Sequence, residues 1–311
     1  MNVHQLKVFL EICKVGTLSS AADRLELKQP TVSFHLRNLE EELDVELFRK
    51  QGRTLQPTVA AEELLPYARR IVALMDDARR QMRSRSGHER VRLRLGASYT
   101  PATYFMPPYL AEFRQSNPDI ELQLTVKQAG GTLAMLRGYE IDAAIVSLPD
   151  HEEKGLIVVP LVEDELQLVM NPAHPLSQMS EWSVDLLKDQ IFLLHEPGST
   201  SRRLTEQWAQ DIGLSFSSTM ELGAIETIKE TLRCNDSLAV LPLRSILRET
   251  QSGELVSRPL PGYINRRRIC LAYRDEPLYS APVREFIRYV EEVADTLKPK
   301  TLVKSANPKL P

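Results

Sequence analysis

The residues best placed to do chemistry lie within residues 19–40, a stretch that is typical of two short helices joined by a tight polar turn. The second helix starts near Gln29, and its apolar residues recur at helical spacing, so that one face points inward. The other face carries amide, hydroxyl, imidazole and guanidinium groups, which can hydrogen-bond to base edges and phosphates. The pattern predicts a helix-turn-helix whose second helix enters a DNA major groove.

The side chains expected to contact DNA lie on this helix and on the segment that follows it. They are Gln29, Pro30, Thr31, Ser33, His35, Arg37, Arg49 and Arg53. Base contacts are assigned to Gln29, Pro30 and Ser33, with Pro30 facing a thymine methyl. The others are assigned to the DNA backbone, except His35, which either contacts DNA or is an ordinary helix residue.

A small domain of residues 1–58 surrounds this motif. Helix 1 is expected over about Val3–Val15, and Gly52 is a turn signal between two short extended pieces that would form a two-stranded wing. Three cations on the wing, Arg49, Lys50 and Arg53, suit phosphate contacts. The alternative is an ordinary solvated hairpin.

One long helix is expected over residues 58–85, capped by Thr58 and bent locally at Pro66. Apolar residues from Leu64 to Met82 repeat at steps of three and four. Such a stripe is too long for its own small domain to cover, so we expect pairing with the same helix of a second subunit. The alternative is a core helix within one subunit.

From Val91 onward, strands alternate with helices to about residue 298, which indicates an α/β architecture. One helix is expected from Pro101 through about Arg114. The domain boundaries that we expect are a DNA-binding domain over 1–58, a linker helix and hinge over 59–88, a regulatory domain over 89–298 and a flexible tail over 299–311.

Loops after three of the strands carry hydroxyl groups, and two of these loops open helices, whose N-termini attract anions. Together with neighbouring loops they are expected to form a polar cleft for a small, anionic molecule. The predicted lining is Ser98, Thr100, Thr132, Ser147, His195, Ser199, Thr200, Arg202 and Glu226. Capping is the alternative role of Ser98 and Thr100. Thr132 either only caps its own helix or also faces the cleft, and Arg202 could be a surface residue. Glu226 would repel a carboxylate, so it either holds an amine or pairs with Arg202.

Composition narrows the function classes. The 311 residues carry a formal net charge of −3, so the DNA prediction depends on local pattern and not on bulk charge. The sequence has neither a signal peptide nor an apolar run of membrane-spanning length, which predicts a cytoplasmic protein. Hydrolase and phosphate-loop motifs are missing and the six histidines do not cluster, so we expect neither an enzyme nor a cofactor or metal site.

Over nearly its whole length, the chain resembles the LysR-type transcriptional regulators. The residues that carry this resemblance are Phe9, Ser19-Ser20-Ala21-Ala22, Leu25, Gln29-Pro30-Thr31-Val32-Ser33, Leu39-Glu40, Leu43, Leu47-Phe48-Arg49 and Leu55-Gln56-Pro57-Thr58. Many members have arginine where this chain has Phe34, which cannot donate a hydrogen bond to a base.

The resemblance implies a winged helix-turn-helix, a long linker helix and an effector domain of two α/β subdomains like those of periplasmic binding proteins. It places subdomain I at 90–161 plus 267–298 and subdomain II at 162–266, and it implies homodimers and homotetramers that bind double-stranded DNA and a small effector. Two alternatives stay open: a solute-binding protein that does not act through DNA, and a redox sensor that uses Cys234 and Cys270.

Overall fold

The computed structural model describes residues 1–85, 91–149, 153–179, 183–276 and 279–297. The chain divides into two compact units, the first built largely from residues 1–85 and the second largely from residues 91–297. The α-helices of these residues are α1 (Val3–Val15), α2 (Leu18–Leu25), α3 (Gln29–Leu43), α4 (Val59–Arg85), α5 (Tyr99–Tyr104), α6 (Pro107–Ser116), α7 (Ala129–Arg137), α8 (Thr200–Asp211), α9 (Ile225–Cys234), α10 (Leu243–Ser252) and α11 (Ala281–Leu297). The strands are β1 (Phe48–Gln51), β2 (Thr54–Pro57), β3 (Val91–Ala97), β4 (Ile120–Val126), β5 (Ala143–Leu148), β6 (Leu156–Glu163), β7 (Leu166–Met170), β8 (Ile191–Leu194), β9 (Ser218–Glu221), β10 (Ser237–Pro242), β11 (Val256–Pro259) and β12 (Arg268–Arg274).

The first unit contains the predicted helix-turn-helix. Helix α2 begins after Thr17, whose hydroxyl accepts a hydrogen bond from the Ser20 N–H, and it ends at Leu25. Glu26 then takes a left-handed conformation (φ 55°), which turns the chain before α3 begins at Gln29. Apolar side chains of α1, α2 and α3 share one core, and the inward face of α3 consists of Val32, Leu36 and Leu39.

The wing is the antiparallel pair β1–β2. It is tied to α3 by Glu40, whose carboxylate accepts hydrogen bonds from the N–H groups of Leu47 (2.8 Å) and Phe48 (3.3 Å). Gly52 has a φ of 62° at the turn, a conformation that glycine adopts without strain. The wing therefore has a fixed position beside the second helix of the helix-turn-helix.

The long helix α4 starts directly after Thr58, whose hydroxyl accepts a hydrogen bond from the Ala61 N–H. Its apolar residues divide between two sides. Ala61 and Ala68 are fully buried in the core of the first unit, whereas Ile71 and Met75 are each 38% exposed. The expectation that the whole stripe stays uncovered is therefore wrong for the side that packs within the chain.

The second unit has two five-stranded sheets, with strand orders β4-β3-β5-β12-β6 and β11-β7-β10-β8-β9. Strands β3 and β5 are parallel, as are β8 with β9 and β10, whereas β12 and β7 run antiparallel to their neighbours. The central strands β5, β7 and β10 are buried along their whole length, because side chains cover both faces of each sheet.

The chain crosses between the two sheets twice, once between β6 and β7 and once between β11 and β12. Strand β6 stays in the first sheet through Glu163, which pairs with Arg268, so the first crossing lies two residues after the predicted boundary at 161.

The single helix predicted through Arg114 is also wrong: it is broken between α5 and α6, where Pro107 and Pro108 restrict the preceding backbone.

Candidate functional site

The outer surface of α3 carries the side chains that were predicted to contact DNA. Gln29, Pro30 and Arg37 are exposed, and Phe34, which is 58% exposed, lies on the same outer surface. Thr31 and Ser33 are half-buried. Lys28, at the start of α3, makes no side-chain cap, so the N-terminal end of the helix is not occupied by one of its own side chains.

His35 differs from the other residues of this surface. It is half-buried, and its ring stacks on His4 from α1, with 6.5 Å between the ring centroids. The edge of the neighbouring Phe34 ring also contacts it. These contacts favour the second of its two predicted roles, an ordinary helix residue.

The wing supplies exposed cations. Arg49, Lys50 and Arg53 are all exposed, and among the described residues none of them forms an ion pair. Exposed cations of this kind bind phosphates without sequence preference.

A cavity of about 360 Å³ opens between the two sheets of the second unit, within the size range of small-molecule sites. Seven residues predicted for the cleft line it: Ser98, Thr100, Ser147, His195, Ser199, Thr200 and Glu226. The N-terminal ends of α8 and α9 also reach the cavity through Ser201 and Ile225. Residues that are far apart in the sequence are therefore brought together by the ends of strands and the starts of helices.

The floor of the cavity is a hydrogen-bonded network. The Ser98 hydroxyl accepts a hydrogen bond from the Ser147 N–H (3.0 Å), and the Ser147 hydroxyl donates to Asp164 Oδ2 (2.7 Å). Arg267 Nη2 lies 3.1 Å from the same Asp164 oxygen and donates to Thr100 Oγ1 at 3.3 Å. All five side chains are buried, so the network is shielded from bulk solvent.

His195 forms part of the wall. It is 6% exposed, and burial, together with the nearby Arg267 and Arg202 and against the opposing effect of Glu196, lowers the pKa of its imidazole to about 4. The imidazole is therefore neutral at neutral pH. Its Nε2 has no hydrogen-bond partner among the described residues.

Two contacts join the opposite walls. Gln128 Nε2 donates to Glu196 Oε1 (3.0 Å), next to Gly198, whose φ of 84° turns the loop toward Gln128. On the other side, the Tyr104 hydroxyl donates to Glu226 Oε1 (2.5 Å). Burial raises the pKa of the Glu226 carboxyl, but hydrogen bonds from Tyr104 and Lys229 outweigh burial and hold this pKa below its usual value.

Two predicted lining residues lie outside the cavity. Thr132 is fully buried, because its hydroxyl donates to the carbonyl of Gln128 (3.1 Å) and its methyl group packs against Gly96. Arg202 donates to the His195 carbonyl (3.1 Å) and to Glu206 Oε1 (2.5 Å), and it stabilises the loop instead of facing the cavity. The prediction that both line the cleft is wrong.

Glu226 lines the cavity but does not pair with Arg202. Its carboxylate lies 2.9 Å from Lys229 Nζ, a lysine that is 3% exposed and also pairs with Glu249. The Tyr104 hydroxyl and Lys229 therefore both contact Oε1 of the carboxylate that was expected to hold an amine or Arg202.

The most important residue that the sequence reasoning missed is Arg267. Seven lining residues that carry polar or charged side chains were not predicted: Tyr99, Thr103, Tyr104, Gln128, Glu196, Ser201 and Arg267. A signal for Arg267 was present, since it is the middle residue of three consecutive arginines at the predicted boundary between subdomain II and the second part of subdomain I. A cation at the boundary between two subdomains lies close to the cleft that separates them, which makes it a candidate lining residue.

The two cysteines of the redox hypothesis lie in different elements, one in a strand and the other in a helix. Cys270 lies within β12 and is fully buried, and burial raises the pKa of its thiol to about 12. Cys234 is exposed at the end of α9. A thiol that stays protonated is a poor nucleophile, so the structure gives the redox hypothesis no support.

Two family models match this chain. The LysR substrate binding domain matches residues 86–295, and the bacterial regulatory helix-turn-helix protein, lysR family, matches residues 3–62. No helix among the described residues is long and apolar enough to cross a bilayer.

Relatives and solved structures agree with these matches. A probable RuBisCO transcriptional regulator from Nostoc sp. is 30% identical over 290 residues, which is 92% of this chain and 86% of the relative. A probable nitrogen assimilation transcriptional activator from Synechococcus elongatus is 30% identical over 294 residues, 94% of this chain and 95% of the relative. Full-length OxyR from Pseudomonas aeruginosa, solved as a variant, has a TM-score of 0.67 at 23% identity, with 94% of each chain covered; at this identity the similarity establishes the fold alone.

A helix-turn-helix unit followed by a two-sheet substrate-binding unit defines the class, which is the bacterial transcriptional regulators. The chain belongs to the LysR family of these regulators. The predicted family and fold class are thereby confirmed, and a solute-binding protein without a role on DNA is ruled out as the better description.

Proposed function

We propose that this chain binds a specific operator through α3 and the β1–β2 wing, and that a small anionic ligand in the cavity of the second unit sets its affinity for that operator. The observation that carries the proposal is the pairing of two sites in one chain. One unit presents an exposed recognition surface with free cations, and the other encloses a cavity of about 360 Å³ with a buried arginine.

On DNA, the exposed amide of Gln29 is the best candidate for a base contact, because an amide can pair with an adenine edge through two hydrogen bonds. Pro30 and Ser33 complete the base-reading group, and Thr31, Arg37, Arg49 and Arg53 hold phosphates. The uncapped N-terminus of α3 is a further phosphate site.

A second subunit is part of the proposal, because a dimer presents two recognition helices to two half-sites. The exposed apolar side of α4 is the proposed dimer surface, and it contains Tyr67, Ile71, Leu74, Met75 and Met82. Pairs of dimers would then form the tetramer that the family resemblance implies.

The named relatives support the class of action and not a shared target, since one is named for RuBisCO and the other for nitrogen assimilation. The ligand class is argued from the site itself. The cavity combines hydroxyl groups, a neutral imidazole and a guanidinium group, and these groups suit a carboxylate or a phosphate.

The test of this function is a titration of full-length protein on a duplex from the region upstream of its own gene, followed by fluorescence anisotropy. A shuffled duplex of the same composition is the control. We expect binding to the upstream duplex to be at least about 10³-fold tighter. Equal affinity for both duplexes would reject operator recognition at that site.

The ligand is then sought by a thermal-shift screen of small carboxylates, phosphates and amino acids. A compound at 100 times its Kd should stabilise the second unit by about 2.7 kcal/mol. A compound that stabilises the protein but leaves operator affinity unchanged would contradict the regulatory part of the proposal.

A further inference from the structure

Arg267 is the one buried cation on the cavity lining as described, and it is only partly satisfied. It lies between β11 and β12, in the second crossing, and it is 2% exposed. Nη2 makes both of its contacts, to Asp164 Oδ2 and Thr100 Oγ1, whereas Nε and Nη1 have no hydrogen-bond partner in the described part of the chain. A guanidinium group cannot lose its charge at accessible pH, so these donors require an acceptor.

Asp164 is the counter-ion of Arg267, and it lies in the other crossing. It is fully buried between β6 and β7, and its N–H donates to the Arg267 carbonyl at 3.1 Å. One carboxylate oxygen is shared by Arg267 and Ser147, and the other, Oδ1, has no partner among the described residues. The ion pair therefore joins the two segments that connect the subdomains, which is where a hinge would bend.

Other groups of the same cavity favour a negative ligand. The neutral imidazole of His195 has a free Nε2, and Ala224 makes no side-chain cap at the N-terminus of α9, which also reaches the cavity. Two acids also line the cavity. Tyr104 and Lys229 both bind Glu226 Oε1, and Glu196 Oε1 accepts from Gln128, whereas Glu196 Oε2 has no partner among the described residues.

We propose that Arg267 is an anion receptor built into the hinge: its free N–H groups bind a carboxylate or phosphate group of the effector, and Asp164 is the internal anion that competes for the same guanidinium. Ligand charge then acts directly on both crossing segments, without an intermediate loop. This inference depends on the proposed function, since it specifies the ligand class and the receptor within the same cavity.

The experiment measures binding of succinate and inorganic phosphate to full-length protein by isothermal titration calorimetry, at constant ionic strength set with chloride. Succinamide is the neutral control for succinate. The two anions distinguish a carboxylate receptor from a phosphate receptor. We expect at least one anion to bind and succinamide not to bind; if neither anion binds the unmodified protein, the proposal is overturned.

Two single variants are expected to change the affinity for the anion in opposite directions. Arg267→Lys keeps the charge but loses the planar fork, so the anion should bind at least about tenfold more weakly. Asp164→Asn removes the competing charge, so the same anion should bind more tightly, by about fivefold or more. A purely structural role of the pair would weaken binding in both variants, and that result would contradict the proposal.

A double variant separates loss of anion binding from loss of folding. Asp164→Asn combined with Arg267→Met removes both charges, and removing both partners of a buried pair disturbs stability much less than removing one. It should keep its melting temperature within a few degrees and lose anion binding. Unchanged anion affinity in this variant would overturn the receptor while leaving the cavity, and the proposed function, intact. A neutral effector that shifts operator affinity would likewise uphold the function and reject the anion receptor.

Discussion

The recognition surface of the first unit and the cavity of the second unit differ in the exposure of their side chains and in how far apart those side chains lie in the sequence. The side chains expected to contact DNA lie on one helix and one hairpin, and the key ones, Gln29, Arg37 and Arg53, are exposed and free of ion pairs in the described structure. The side chains of the cavity floor come from four separate segments and are buried in one network. Exposed groups can change without loss of folding, whereas a buried network couples binding to stability.

The largest effect is expected at the exposed side of α4. Ile71→Asp combined with Met75→Asp should separate the subunits, because two charges would be buried in an apolar seam. Operator affinity should fall by about 10²- to 10⁴-fold as bivalent binding is lost. Light scattering and anisotropy measure the two effects. Val59→Asp, the same type of change at an exposed position at the start of the helix, should leave the dimer intact; a double variant that remains dimeric would show that this side is not the seam.

The next prediction compares the free energy of unfolding after a substitution in the buried network with that after a substitution at an exposed position. Arg267→Met leaves the carboxylate of Asp164 buried without its partner, which should lower the free energy of unfolding by about 3–5 kcal/mol. Arg203→Met, at an exposed position of α8, should change it by less than about 0.5 kcal/mol. Urea unfolding followed by tryptophan fluorescence reports on the second unit alone, since both tryptophans follow residue 91. Equal effects of the two substitutions would remove the distinction between a buried network and an exposed surface.

On the recognition surface, Gln29→Ala should weaken binding to the operator by about 1–3 kcal/mol and relax specificity at one base pair. Arg53→Ala should weaken binding to operator and shuffled DNA alike and reduce the salt slope by about one. Neither substitution should move the unfolding curve. If both variants lose affinity equally on both duplexes, the division into base and phosphate contacts is not correct.

The cavity should also respond to pH. His195 has a pKa lowered to about 4, compared with about 6.5 for an unfolded histidine. The unfolded chain therefore binds this proton first, so the stabilisation is complete above pH 6.5 and is lost as the pH falls toward 4. Between pH 7 and pH 5 the second unit should lose about 2 kcal/mol through this group. His195→Gln should remove that part of the pH dependence; an unchanged difference between the two pH values would mean that His195 is not the group responsible.

The smallest effect is expected at Thr100. Thr100→Val removes one acceptor of Arg267, which should lower the stability of the second unit by about 1 kcal/mol and weaken the ligand response. Thr227→Val, at an exposed position of α9, is the matched control and should change neither. A normal ligand response in Thr100→Val would show that the hydroxyl is not needed to hold the receptor in place.

Much of the first unit could be predicted because its signals are local. The turn at Glu26, the start of α3 at Gln29 and the glycine of the wing each depend on residues within one or two turns of the chain. The break between α5 and α6 was equally local and was still missed, although Pro107 and Pro108 are visible in the sequence. In α4, helical spacing identified an apolar stripe but could not separate the side that packs inside the chain from the side that stays exposed.

By itself, the sequence determined the helix-turn-helix, the order of strands and helices and the hydroxyl-rich loops, because these follow from periodicity, capping and turn residues. Only the tertiary structure decided which polar groups share the cavity. Thr132 is buried away from the cavity because its hydroxyl donates to a backbone carbonyl. Arg267 is part of the floor because the chain returns to the first sheet beside Asp164. Thr100 and Arg267 are 167 residues apart, and contacts over such distances leave no local pattern, since they depend on how the two sheets pack.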